Sequence, residues 1–176
     1  MNREFRIQDS ELKKLVIVAL GSNLGDSQPI ILRALARLQD FSDSPILRSS
    51  LWQTSPVDCP PDSPKFINAV AGLIARTDET PESMLQKLRG LEIEFGRAPK
   101  KVLNEPRPLD LDLIAFGNET RHSRELTLPH PRAHERKFVL QPLSEIAPEL
   151  LLPGQGKTVA NLLAELQSDE LIVRLV

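Results

Sequence analysis

The sequence predicts an α+β sandwich with a mainly antiparallel sheet and additional C-terminal elements, and three observations carry that prediction. One continuous apolar run, Leu15–Leu20, suits a strand buried on both faces. Two segments, Gln28–Phe41 and Glu82–Phe95, repeat apolar residues at helical spacing. Strand-like stretches lie between and after them, which gives the order βαββαβ of a ferredoxin-like sandwich.

The elements follow in order. Residues 1–13 are mixed polar without a period and read as an N-terminal extension to a single domain spanning 1–176. Leu15–Leu20 ends at a Gly-Ser-Asn turn. The helix over Gln28–Phe41 places Ile31, Leu35 and Leu38 on one stripe, with Pro29 suited to its first turn. Ile46–Trp52 reads as a second strand, followed by a proline-rich loop over Ser55–Lys65. In the third strand, Phe66–Ile74, Ile67, Ala69, Ala71 and Leu73 share one face. Thr80-Pro81 opens the second helix, whose stripe is Met84, Leu85, Leu88, Leu91 and Phe95, and Gly96 closes it. Arg97–Pro108 is a long basic loop, and Leu109–Phe116 alternates as a fourth strand. Arg132–Lys137 reads as one helical turn, while Val139–Ile146 fits helix or strand. Thr158 caps a last helix to about Leu166, and Leu171–Leu175 adds an edge strand.

Composition narrows the function. The chain of 176 residues carries 22 basic and 24 acidic side chains, a formal charge of −2, which argues against a generic nucleic-acid or anionic-membrane binder. One cysteine, Cys59, excludes an internal disulfide and a multi-cysteine zinc site, and with no targeting or spanning run it points to a cytoplasmic setting. The 15 prolines exceed the usual share, and nine of them cluster. Pro56, Pro60, Pro61 and Pro64 form one group, Pro99, Pro106 and Pro108 a second, and Pro129 and Pro131 a weaker third. Clustered proline specifies loop shape, and loops are where sites are built.

Asp110-Leu111-Asp112 is the most informative tripeptide. On a strand the two carboxylates share one face, and Leu109, Leu111 and Leu113 share the other. Two carboxylates so placed suit either a solvated sheet face or a hard-cation site, in which Mg²⁺ keeps waters and takes phosphate oxygens. The preceding loop favours the second reading, because Arg97, Lys100, Lys101 and Arg107 bring four positive charges within eleven residues of chain. Cations beside a carboxylate metal site are what a polyphosphate needs. Phe66 and Asn68 share a strand face, so an aromatic plate stands beside an amide able to read a lactam-like edge; a core role for Phe66 is the plainer alternative.

Other motifs fail on inspection. Gly21–Asp26 lies between a strand and a helix but lacks both the Walker A ending and the dinucleotide fingerprint. Gly156-Lys157-Thr158 has that ending, yet Leu151 stands where the earlier glycine belongs. His130 and His134 are four apart without the glutamate of a zinc-protease helix, which leaves His130 as a phosphate contact. A nucleotidyltransferase would place its Gly-Ser turn near its Asp-x-Asp pair, whereas Gly21 and Asp110 are 89 apart. An RNA-binding module would want more than 4% aromatic residues.

Taken together, ALGSNLGD (19–26), SSLWQTSPV (49–57), FINAV (66–70), LEIEFGR (91–97), PRPLDLDLIAFG (106–117) and LTLPHPRAHERKFVLQPLSEIAPEL (126–150) resemble the 6-hydroxymethyl-7,8-dihydropterin pyrophosphokinases of folate synthesis. The resemblance implies transfer of the diphosphate of ATP to the pterin hydroxymethyl group with release of AMP, in a ferredoxin-like fold with mobile loops. It implies that Asp110 and Asp112 hold two Mg²⁺ ions, and that Arg97 and Arg107 neutralise charge on the transferring group. Thr54, Ser55, Val57, Phe66, Asn68, Asp110 and Phe138 would then bind the pterin. Glu92, Arg107, Leu113, Thr127, His130 and Arg136 would contact ATP. The implied partners are these small molecules, with no nucleic acid, membrane or obligate protein partner. Pro99, Asn104 and Trp52 depart from the family pattern, and the first two bear on loop closure.

Overall fold

Strand β1 (Leu15–Ser22) is buried along its whole length, as a run without polar alternation requires. The computed structural model describes residues 12–56, 59, 62–98 and 105–175. Helix α1 (Ser27–Leu38) follows and tightens into a 3-10 turn over Gln39–Phe41. The next strand is broken. Where the spacing predicts one strand over Ile46–Trp52, the chain forms β2 (Leu47–Arg48) and β3 (Trp52–Thr54). Ser49 lies between them and bonds both ways to Val70: its N–H donates to the Val70 carbonyl at 3.0 Å, and its hydroxyl accepts the Val70 N–H at 2.9 Å. A side-chain oxygen there replaces a ladder carbonyl, and the strand divides.

Strand β4 (Phe66–Ile74) runs antiparallel to β1, β2 and β3. Helix α2 (Pro81–Glu94) opens with a capping box in which Thr80 and Ser83 each accept the other's backbone N–H, and Pro81 occupies its first turn. Strand β5 (Asp110–Phe116) then pairs with the free side of β1. A short hairpin of β6 (Arg121–His122) and β7 (Thr127–Leu128) leads to α3 (Lys137–Ile146), which resolves the helix-or-strand ambiguity of this segment as helix. Helix α4 (Val159–Glu165) is capped by the Thr158 hydroxyl, and β8 (Ile172–Arg174) closes the chain against β3.

Six of the described strands form one antiparallel sheet in the order β5-β1-β4-β3-β8, with β2 also on β4. Each face has its own core. Val16, Val18 and Leu20 of β1 pack with Ile31, Leu35 and Leu38 of α1 and Met84 and Leu88 of α2. Leu15, Ile17 and Ala19 pack on the opposite face with Val139, Leu140 and Leu143 of α3 and Val159 of α4. Each fully buried leucine or isoleucine contributes about 1.5–3 kcal/mol of transfer free energy, so the two stripes outweigh weak local propensity in the short strands. The architecture is therefore helices, sheet, helices, and both faces are spoken for except at one sheet end.

Candidate active site

That open end is where β1, β4 and β5 bring polar residues onto one rung. Gly21 pairs with Asn68 on one side and Asp110 on the other. Two residues along, Ala19 pairs with Val70 and Asp112, and Ala19 and Val70 lie in the core that α3 covers. Leu109, Leu111 and Leu113 point to the α1 and α2 side, so the period-2 expectation for the two carboxylates holds. Gly21 is small for a reason: a Cβ there would meet Asn68 Oδ1 at 3.1 Å and Phe66 Cδ1 at 3.7 Å.

The two aspartates differ in environment. Arg97 Nη1 lies 2.5 Å from Asp110 Oδ1, and Arg107 Nη2 lies 2.7 Å from Oδ2. Burial pushes the Asp110 carboxyl up, but Arg107 and Arg97 more than offset it and hold the group below the ordinary carboxylate range. Asp112 pairs with Arg136 at 3.7 Å. Burial and the charge of Asp110 raise its pKa, against weaker help from His130, Arg136 and Arg107. The Asp112 side chain is 38% exposed against 20% for Asp110, so the under-compensated carboxylate is also the open one.

Glu92 supports this cluster from beneath. Its carboxylate ion-pairs with Arg97 and accepts the Leu111 N–H at 2.7 Å. Burial raises its pKa to about 7, although the Leu111 N–H and Arg97 both favour the charged form. Arg107 is held by its backbone as well as its side chain. Its N–H donates to Asn23 Oδ1 at 2.9 Å, and its carbonyl accepts the Asn23 N–H at 3.2 Å. Asn23 also reaches the Pro64 carbonyl at 3.4 Å, so one buried amide ties the basic loop to the proline-rich loop. Sequence reasoning missed Asn23 as a site residue, although it lies within the ALGSNLGD stretch. The Arg107 guanidinium sits 5.6 Å from the Phe66 ring centre, and its Nε is buried without a hydrogen-bond partner.

On the other flank, Asn68 Nδ2 donates to Thr54 Oγ1 at 2.7 Å. Arg136 stacks on Phe138 at 5.3 Å, at the start of α3. The His130 N–H donates to the Ile114 carbonyl at 2.8 Å, and its Nδ1 accepts the Arg132 N–H at 3.2 Å, which leaves Nε2 as the protonated nitrogen of the neutral ring. Burial lowers the His130 pKa against the pull of Asp112. Ser55 donates its N–H to the Leu171 carbonyl. The Leu113 side chain is buried in the α1 and α2 core, Glu92 lies under β5, and Thr127 is exposed on β7. Val57, Pro99 and Asn104 lie outside the described residues.

The donor set suits Mg²⁺. Asp110 and Asp112 offer hard oxygen ligands on one face, and Asp112 carries charge that a cation would relieve. Among the described residues no group of three or more His, Cys, Asp or Glu side chains forms a closed cage, so part of the coordination falls to water or substrate oxygens. Also among the described residues, no helix is long and apolar enough to cross a membrane.

Comparison with known proteins gives the family and the fold. Residues 17–148 match the family model described as 7,8-dihydro-6-hydroxymethylpterin-pyrophosphokinase. A Synechocystis 2-amino-4-hydroxy-6-hydroxymethyldihydropteridine pyrophosphokinase is 38% identical over 85% of this chain and 74% of its own length. The Pseudomonas aeruginosa protein of the same name is 37% identical over 85% of this chain and 90% of its own. A solved Plasmodium falciparum HPPK-DHPS with pteroate shares the fold at a TM-score of 0.67 and 14% identity, covering 86% of this chain. This chain spans 42% of that longer one.

Proposed function

The chain belongs to the 7,8-dihydro-6-hydroxymethylpterin-pyrophosphokinase family, and from that premise we propose which of its residues carry the reaction. The protein is a pyrophosphokinase of folate synthesis: it moves the terminal diphosphate of ATP to the hydroxymethyl group of the pterin and leaves AMP. The observation that carries our assignment is the single rung Asp110–Gly21–Asn68, where a cation ligand and an edge-reading amide flank a glycine.

Asp110 and Asp112 would hold Mg²⁺, two ions in this scheme, and the metal would supply charge withdrawal from the phosphate groups of ATP. Arg97 and Arg107 serve the transferring group. Both now spend their charge on Asp110, and the unpartnered Arg107 Nε is a spare donor for a phosphate oxygen. Phe66 and Phe138 stack the pterin, and Asn68, Thr54, Ser55 and Val57 read its edge, beside Asp110. His130, Arg136, Thr127 and the backbone at Leu113 face ATP, with Glu92 acting through Arg97. No protein nucleophile enters this scheme; positioning and charge compensation carry the rate, as in other phosphoryl transfers.

The finer architecture belongs to the same proposal. We read the sheet as ferredoxin-like, supported by the order of β1, α1, β3, β4, α2 and β5 with β8 as an added edge. The 1–176 chain acts as one domain on small molecules, without an obligate protein partner, in the cytoplasm. The assay that tests the function measures nucleotide products: AMP should form from ATP only with both Mg²⁺ and the hydroxymethyl-dihydropterin present. ADP as product, or AMP release indifferent to the pterin, overturns it.

A further inference from the structure

We propose that Asn23 is a positioning residue whose carboxamide sets Arg107 for the transferring group and Phe66 for the pterin at once, a role that rests on the assignments of those two residues. Asn23 directly follows β1, two residues past the Gly21 of the shared rung, and is only 3% exposed. Its partner segment is Pro106-Arg107-Pro108. Neither proline has an N–H, so the Arg107 N–H is the one main-chain donor over those three residues. That donor goes to Asn23 Oδ1 at 2.9 Å, and the Arg107 carbonyl takes the Asn23 N–H at 3.2 Å. The side-chain oxygen stands in for a main-chain carbonyl and supplies the partner that a donor removed from water needs. The Arg107 backbone is thereby fixed to the end of β1, while its Nη2 reaches Asp110 Oδ2 at 2.7 Å.

The other half of the carboxamide faces the proline-rich loop. Asn23 Nδ2 donates to the Pro64 carbonyl at 3.4 Å, and Pro64 stands two residues before Phe66. An N–H on one side and a carbonyl on the other admit one orientation of the amide, with its oxygen toward Arg107 and its nitrogen toward Pro64. A carboxylate at this position can accept from Arg107 but has nothing to donate to Pro64, and an alanine serves neither. The two residues so placed also meet each other, with the Arg107 guanidinium 5.6 Å from the Phe66 ring centre. One buried side chain therefore holds loops 41 and 84 positions along the chain, and substitution can remove its two halves separately.

The test compares Asn23→Ala with Asn23→Asp at pH 8, well above the ordinary carboxylate pKa. It reads kcat, pterin KM and ATP KM on protein shown to be folded by the fluorescence of Trp52, the only tryptophan. Asn23→Ala should lower kcat about thirtyfold, through a displaced Arg107, and raise pterin KM about tenfold. Asn23→Asp should keep kcat within about threefold of the wild type and ATP KM near its original value, yet still raise pterin KM about tenfold. In an Arg107→Ala background the kcat loss from Asn23→Ala should vanish. A wild-type kcat in Asn23→Ala, an equal kcat loss in Asn23→Asp, an unchanged pterin KM in Asn23→Asp, or a kcat loss that persists in full without the Arg107 side chain overturns the proposal. Arg107→Ala alone leaving kcat unchanged would instead overturn the assignment of Arg107 beneath it, and this proposal with it. If Asn23→Ala does not fold, the split between kcat and pterin KM in Asn23→Asp decides alone.

Discussion

Asp110 and Asp112 are two residues apart on one strand, yet one is saturated by two guanidinium groups and the other is open. A third carboxylate, Glu92, is buried with its pKa raised to about 7 while it braces Arg97 and the β5 backbone. The folded state therefore holds an extra proton on Glu92 between its ordinary value of 4.5 and about 7. Its contribution to stability is complete below 4.5 and is lost as the pH rises through 7. Chemical denaturation of wild type and Glu92→Gln at pH 5 and pH 7.5 checks this. The wild type should lose ground relative to the variant across that interval; parallel curves contradict the raised pKa.

At the scale of elements, the sheet register does the assembling. Gly21 leaves the space that Phe66 and Asn68 border, so Gly21→Ala should crowd the pterin side of the rung. Overpacking of this kind costs about 1–3 kcal/mol, enough to raise pterin KM about tenfold while ATP KM stays near its original value. Steady-state kinetics with each substrate varied in turn would check it, and equal effects on both substrates would count against it. The elements themselves were largely legible, because alternation over Asp110–Phe116 and the 3.6-residue stripes of α1 and α2 are local signals. The β2–β3 break was not, since it depends on the Ser49 hydroxyl reaching Val70 across the sheet. Nor was the rung itself, because pairing of Gly21 with Asp110 spans 89 positions and no local period encodes it.

For the molecule as a whole, a net charge of −2 conceals a sharp local separation of charge. The acidic pair and its arginines sit at one sheet end, and two hydrophobic layers hold that end rigidly enough to present them. Most of the candidate site could be named from the sequence, since its residues cluster in short stretches of specific composition. What escaped was a residue that acts at a distance. Asn23 bonds a loop 84 positions away. It is an ordinary polar residue locally, and only the fold gives it that partner. Leu113 and Glu92 show the converse, with side chains turned to the core or beneath the strand although their positions match the family.

The central claim is that diphosphate transfer takes place on the face shared by Asp110 and Asp112. Asp112→Asn tests it most directly, because the substitution keeps the shape and the pair it weakens, with Arg136, is a long one at 3.7 Å. Turnover of ATP to AMP at saturating Mg²⁺ and pterin should fall at least about a hundredfold, with the thermal melt preserved. A rate near that of the wild type under those conditions would contradict the account.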